Sequence, residues 1–349
     1  MIVTLLSPIF VVNWLNKPLS HIYVEHGATD YATTKRILER FPRSEIIFID
    51  DYKDFFNRRN QNFEAQKLSP KLILAKKKSD YIYDGSQFVQ EGDETDYFYT
   101  ALMLNCLYDC SYCYLQGMFS SANLVLFANL DDYFTSVINF LSERDDSHKQ
   151  ILLSISHDCD LLAFEKVSGV CREWIRFLED HPGFDIEIRT KSANFSAIQD
   201  LTPTDRVLFA WTLSPPIVEE RYEKGVPGTR LRLDNALLAA SSGWPIRICF
   251  DPVIPVDGWR EAYSSLVEQT FRKFPMKQLR DVTVGTFRMN GDYFRRMAQA
   301  RPSEELVYRD WENKNGVISH TFDERHEIND FLTEQLLNYI PSDKIRTWS

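Results

Sequence analysis

The chain has 349 residues, of which 44% are hydrophobic and 13% aromatic, and carries a formal net charge of −10. This composition supports one large or two ordinary hydrophobic cores and excludes an intrinsically disordered chain. The acidic balance excludes a protein coated in basic charge for nucleic acid, although it leaves room for a local basic groove.

Residues 1–15 are almost wholly apolar. They lack a basic start and a small-residue cleavage site, carry Pro8 in the middle, and are too short for a bilayer. They read as a buried strand or loop, and no membrane partner is expected. Residues 21–25 alternate as a strand, 30–40 have helical spacing with Asp30 as a cap, and 45–49 are an apolar strand. A further strand at 71–75 ends in Lys76, Lys77 and Lys78. This N-terminal α/β region (1–95) has no glycine-rich phosphate turn, and the polar, acidic stretch 85–96 reads as a linker.

From Tyr97 the pattern alternates strand and helix. Strands are expected at 99–104, 150–156, 185–190, 207–213, 246–252 and 282–287. Helices are expected at 131–143, 164–179, around Ala197, 231–241 and 259–274. Six strands alternating with helices require a parallel, curved sheet with its sites at the strand C-terminal ends. The expected fold is therefore α/β, a partial (β/α)6 barrel over 96–300, followed by a hairpin and helix over 301–349. Polar residues collect after the strands: His157, Asp158, Cys159 and Asp160; Thr190, Lys191 and Ser192; Ser214; Asp251; Arg288. In the C-terminal extension, Asn315-Gly316 is a good hairpin turn. Trp311 beside it is a candidate wedge.

Half of the six cysteines fall in one run, Cys106, Cys110 and Cys113, with Tyr112 and Tyr114 flanking the last. Spacing this tight lets three thiolates converge on one metal centre. A 4Fe–4S cluster held by three cysteines leaves one iron open for another ligand. A structural zinc site completed by His157 or His181 is the alternative from the donor set alone. Cys159, Cys171 and Cys249 make no disulfide framework, which with an oxygen-sensitive cluster points to a reducing cytoplasm.

The C-x3-C-x2-C spacing resembles that of the radical S-adenosylmethionine (SAM) enzymes. More closely, Cys110-Ser-Tyr-Cys-Tyr-Leu-Gln116, Val125-Leu-Phe-Ala-Asn-Leu-Asp131 and Gly243-Trp244 through Asp257-Gly258-Trp259 resemble the spore photoproduct lyase family. The resemblance runs with gaps from about Leu72 to the C-terminus. It implies the same partial barrel, a 4Fe–4S cluster on Cys106, Cys110 and Cys113, and SAM bound to the open iron. It also implies an electron donor such as flavodoxin or ferredoxin, and reversal of a thymine dimer joined by a methylene bridge in damaged DNA. Lys191 and Ser214 match positions that contact SAM, and Tyr112 and Tyr114 match tyrosines near the hydrogen-return path. The family's hydrogen-donor cysteine lies three residues before an aspartate. Counting from Asp160, that place is His157, and Cys159 is the nearest thiol. Because residues two apart in extended backbone share a side, Cys159 is expected to face the same cavity as His157, either as the donor or in place of a SAM-contacting serine. Candidate DNA contacts are Lys76, Lys77, Lys78, Arg288, Arg295, Arg296 and Trp311. The hairpin, basic in the family, is nearly charge-balanced here. A radical SAM enzyme for a non-DNA substrate and a metal-bearing DNA-binding module without turnover are the alternative readings.

Overall fold

A computed structural model of the chain describes residues 19–85, 91, 95–144 and 149–348. The apolar stretch 1–15 and most of the expected linker 85–96 lie outside the described residues. The main sheet has eight strands: β1 Tyr83–Asp84, β2 Thr95–Tyr99, β3 Gln150–Ser154, β4 Asp185–Thr190, β5 Val207–Thr212, β6 Ile246–Val253, β7 Leu279–Thr286 and β8 Ile345–Thr347. They lie side by side in chain order. All neighbours from β2 to β8 pair in parallel, and β1 alone runs antiparallel at one edge. Five of the six inner strands, β3 to β7, are those of the expected partial barrel; the first, β2, lies before its expected place. β5 is buried along its whole length because helices cover one face and the barrel interior the other. Parallel pairing puts the C-termini of β2 to β8 at one end, where the loops can build a site.

A second sheet has the order Glu45–Ile49, His21–Glu25, Leu72–Ala75, Leu124–Phe127, Met103–Leu104. Here the structure corrects the expected strand 99–104. The barrel strand ends at Tyr99, and Met103–Leu104 turns away to pair antiparallel with Leu124–Phe127. Both residues are buried, so they join the sheet that is covered at that point rather than the half-buried barrel edge. The cysteine run therefore hangs from the second sheet.

Two further elements differ from expectation. Asp30 does not cap its helix; Ala32–Arg40 starts at Tyr31 without a side-chain cap. The helix expected at 164–179 is two, Leu161–Ser168 and Val170–Asp180, broken at Gly169 with φ 66°. The carboxylate of Glu165 accepts the backbone N–H groups of Cys171 (2.8 Å) and Arg172 (3.0 Å), which starts the second helix. The C-terminal hairpin Glu312–Lys314/Val317–Ser319 turns on Asn315 and Gly316, both at positive φ, and pairs with Arg288–Asn290 into a three-stranded sheet. Among the described residues, no helix is long and apolar enough to cross a membrane.

The barrel interior is not wholly apolar. Arg247 on β6 is fully buried. It donates to both carboxylate oxygens of Asp281 on β7, at 2.5 and 2.8 Å, and to Glu187 on β4 at 2.8 Å. Burial alone would raise the Asp281 pKa, but Arg247 outweighs it and holds it below its usual 3.8. A group whose folded pKa is depressed stabilises above its unfolded value, and that stabilisation is lost as pH falls through the folded value. Asp281→Asn should therefore cost about 3–5 kcal/mol at pH 7, the cost of stranding a buried charge. The gap from the parent should shrink below pH 4, as urea unfolding at the two pH values would show.

Candidate active site

The cysteine loop is fixed from several sides. At its entrance Asn105 takes the left-handed conformation (φ 68°), which asparagine tolerates. Its amide donates to the carbonyls of Ser121 (2.6 Å) and Asn123 (2.8 Å), which closes the two ends of the loop on each other. Lys67 Nζ donates to the carbonyls of Cys106 and Tyr108, both at 2.7 Å. Asp109–Cys110 pairs antiparallel with Glu223–Lys224, and Asp109 forms an ion pair with Arg301. Gln116 Nε2 donates back to the Ser111 carbonyl at 2.6 Å. At Gly117 a Cβ would stand 2.1 Å from the backbone oxygen of Tyr293, so only glycine lets the helix Gly291–Ala300 approach. The run from Tyr114 to Gly117 thus has a packing reason for nearly every residue.

Burial pushes the Cys106 thiol up to about 12 and the Cys110 and Cys113 thiols above their ordinary range. Cys106 and Cys110 are raised further by neighbouring thiols, which marks the three as one electrostatic group. Burial disfavours their thiolate forms and bound positive charge would favour them, and soft thiolate donors suit iron–sulfur chemistry. Among the described residues, no three His, Cys, Asp or Glu side chains are gathered as ligands of a single ion. A cubane does not require that: each of its cysteines binds a different iron, whereas ligands of one zinc sit roughly 3.8 Å apart, set by the Zn–S bond and the tetrahedral angle.

A cavity of about 490 Å³ opens at the C-terminal ends of the barrel strands. Tyr112, Cys113 and Tyr114 form its wall on the loop side. The Tyr114 hydroxyl donates to the His157 carbonyl at 2.8 Å and lies 3.2 Å from Asp158 Oδ1. The His157 ring stacks on Tyr99 at 4.1 Å, and burial lowers its pKa, which keeps the imidazole neutral. On the opposite side Arg288 binds Asp251 through two hydrogen bonds of 2.8 and 3.0 Å, with Arg189 3.8 Å from the same carboxylate. Lys191 stands over the Tyr112 ring at 5.4 Å. Burial works against its charge, but Cys110 and Glu223 outweigh it and raise its pKa.

Behind the cavity wall, buried Glu223 joins three parts of the site. It takes hydrogen bonds from Tyr112, from Ser214 (2.9 Å) and from Arg232 (2.5 Å). Burial would raise its pKa; Arg232 and Lys191 hold it below the usual value.

The structure brings Tyr112, Cys113, Tyr114, Lys191 and Arg288 to one cavity. Ser214 is not in the wall; its hydroxyl is spent on Glu223. Cys159 is not in the wall either. The expected extension of β3 to 156 stops at Ser154, and His157-Asp158 forms a turn, so the same-side rule for extended chain does not hold there. The Cys159 thiol instead lies by the Met103 backbone, near Cys106, and burial raises its pKa well above the ordinary value. Trp311 is no protruding wedge: its Nε1 donates to the Leu306 carbonyl at 2.6 Å and its ring packs on Phe287 and His320. The three lysines do not act as one basic run. Lys76 lies by Tyr31, Lys77 reaches inward to the Tyr83 hydroxyl (2.7 Å), and Lys78 pairs with Asp51 and Glu25. Arg295 pairs with Asp292, and Arg296 is exposed over Tyr293. Glu223, Arg189 and Tyr99 were not anticipated. Asp185, Glu187 and Arg189 alternate with Ile186 and Ile188 along β4, a pattern that signals one polar face inside the barrel; Glu223 carries no comparable signal.

The spore photoproduct lyase family model matches residues 18–347. A spore photoproduct lyase of Geobacillus sp. (strain Y412MC61) is 22% identical over 52% of this chain and 53% of its own length. That of Bacillus subtilis (strain 168) is 20% identical over 75% of each chain. Thus the chain matches about half the length of one curated relative and three quarters of the other. Among solved structures, spore photoproduct lyase complexed with dinucleoside spore photoproduct aligns with a TM-score of 0.77 at 18% identity. It covers 95% of this chain and 99% of that one, and confirms the half-barrel fold. A double mutant with bound AdoMet and dinucleoside spore photoproduct aligns at 0.78 and 18% identity, over 95% of this chain and 98% of that one. With the family model spanning both sheets, the cysteine loop and the C-terminal hairpin, the chain belongs to the spore photoproduct lyase family of radical SAM proteins.

Proposed function

We propose that this chain is a cytoplasmic radical SAM lyase that reverses the methylene-bridged thymine dimer in DNA. The observation that carries the reading is the family match over 18–347, coupled to a strand-end cavity walled on one side by the cysteine loop. The names of the solved relatives, which bind AdoMet and the dinucleoside lesion, support the substrate. Six free cysteines fit a reducing compartment.

Cys106, Cys110 and Cys113 are the residues to hold a 4Fe–4S cluster, and Lys191 is the one to meet SAM. Ser214 serves indirectly in this reading, by orienting Glu223. When bound, cluster and SAM supply a 5′-deoxyadenosyl radical, the hydrogen-abstracting species. The chain's own task is to seat the lesion and return a hydrogen atom once the bridging bond is broken. Cys113 is the one thiol in the wall and is assigned to the cluster. Tyr114 is the donor this reading names, because its O–H is held at the wall by His157 and Asp158. Neutral His157, stacked on Tyr99, and the Arg288–Asp251 pair shape the space around the thymines.

The alternative of a non-DNA substrate draws on one observation: Lys77, Lys78, Arg288 and Trp311 are all engaged within the protein. Lys76 and Arg296 are left as phosphate contacts, and Arg295 joins them only by giving up its exposed pair with Asp292. If DNA is the substrate, affinity for damaged duplex should fall steeply with salt, and reversing the charge of Arg295 and Arg296 should flatten that slope. Binding that ignores salt would favour the other substrate class.

Replacing Cys106, Cys110 or Cys113 with Ala should abolish iron incorporation and the absorption near about 400 nm after anaerobic reconstitution. Lys191→Ala should keep the iron but weaken SAM binding roughly tenfold to a hundredfold, as expected for one charge-assisted hydrogen bond. Retention of full iron by any of the three cysteine variants would remove the ligand assignment.

Tyr114→Phe should keep SAM cleavage while diverting the thymine product to aberrant adducts. Cys159→Ala should leave product yield near the parent's. Product analysis on a methylene-bridged thymine dinucleotide separates the two, and the reverse pattern would make Cys159 the donor.

A further inference from the structure

The segment 52–71 carries five cations, Lys53, Arg58, Arg59, Lys67 and Lys71, against two carboxylates, Asp54 and Glu64, in a chain of net charge −10. Among the described residues, none of the five has a carboxylate within ion-pair distance, whereas Lys78, Arg172, Arg260 and Arg295 are all paired. Lys53, Arg58, Arg59 and Leu68 are exposed, and Leu68 has 72% of its surface open. The cluster is continuous. Gln61 donates to the Arg58 carbonyl at 2.9 Å, and Gln66 donates to Gln61 at 2.7 Å. The next residue, Lys67, grips the carbonyls of Cys106 and Tyr108. No residue of 52–71 lines the cavity. Lys67 therefore ties this basic surface, with an apolar leucine on it, to the cysteine loop at residues that do not line the cavity.

We propose that this surface is the docking site of a small acidic one-electron carrier protein, which delivers its electron to the cysteine loop through the Lys67 contact and not through the cavity. The proposal rests on the cluster assignment above. Unpaired positive charge around an apolar contact suits a transient complex steered by complementary charge, and redox encounters use small interfaces of this kind. The exposed Leu68 among these cations suits a protein partner better than a phosphate backbone, which disfavours DNA as the occupant.

The test uses the full chain, reconstituted and unreconstituted, with an acidic flavodoxin as probe. Lys53→Glu, Arg58→Glu and Arg59→Glu are combined in one variant; none of the three touches the cavity or the cysteine loop. Flavodoxin binding, followed by flavin fluorescence, should weaken about tenfold or more at low salt and lose its salt dependence. Flavodoxin-driven SAM cleavage should fall in parallel, while dithionite-driven cleavage and affinity for lesion DNA stay at parental values. Unchanged flavodoxin affinity, or a parent that does not bind flavodoxin, would overturn the proposal. So would a loss of DNA affinity with flavodoxin binding intact, which would make the surface a DNA contact. Failure of dithionite to drive SAM cleavage in the parent would instead sink the enzymatic reading, and the binding measurement would still decide the docking one.

Discussion

The site depends on a buried carboxylate held ionised. Glu223 is buried, so its charge survives through Arg232, through nearby Lys191 and through the hydrogen bonds it receives from Tyr112 and Ser214. Those partners come from a helix, the cysteine loop and the end of β5. One charge thus sets the position of the loop relative to the barrel and lends its field to Lys191. Removing Glu223 would leave Tyr112, Ser214 and Arg232 with unmet polar groups in a dry interior, so this carboxylate ties the loop to the barrel.

Much of the fold was legible in the sequence because strand–helix alternation is a local signal. The strands at 21–25, 45–49 and 185–190 have the bounds the pattern predicts. What the pattern missed was non-local. Residues 99–104 are apolar or aromatic apart from Thr100, yet the chain changes sheets within them. Periodicity reports that a segment is buried, not against which sheet. The helix break at Gly169 was hidden because a glycine within helical spacing is tolerated unless a capping partner such as Glu165 waits for the next turn.

The site was half legible for the same reason. Cysteine spacing is a property of the chain and was visible at once, and Lys191 and Arg288 followed from their places after strands. Cys159, Ser214 and Trp311 went astray because side-chain direction in a loop is set by tertiary contacts. Glu223 had no signature at all: a glutamate after a short helix is ordinary until an arginine from the next helix closes on it. Charge counting misled in a further way at Lys76 to Lys78, where three adjacent cations have three different environments.

The attachment of the cysteine loop to the second sheet has a consequence for the family's modularity. Met103–Leu104 and Leu124–Phe127 bracket the loop, and Leu124–Phe127 is zipped to Leu72–Ala75, which is zipped in turn to His21–Glu25. The N-terminal sheet is thus the foundation of the reactive loop and not an accessory fused to a self-sufficient barrel. A barrel cut away at the linker would keep its six inner strands and lose the frame that aims its chemistry.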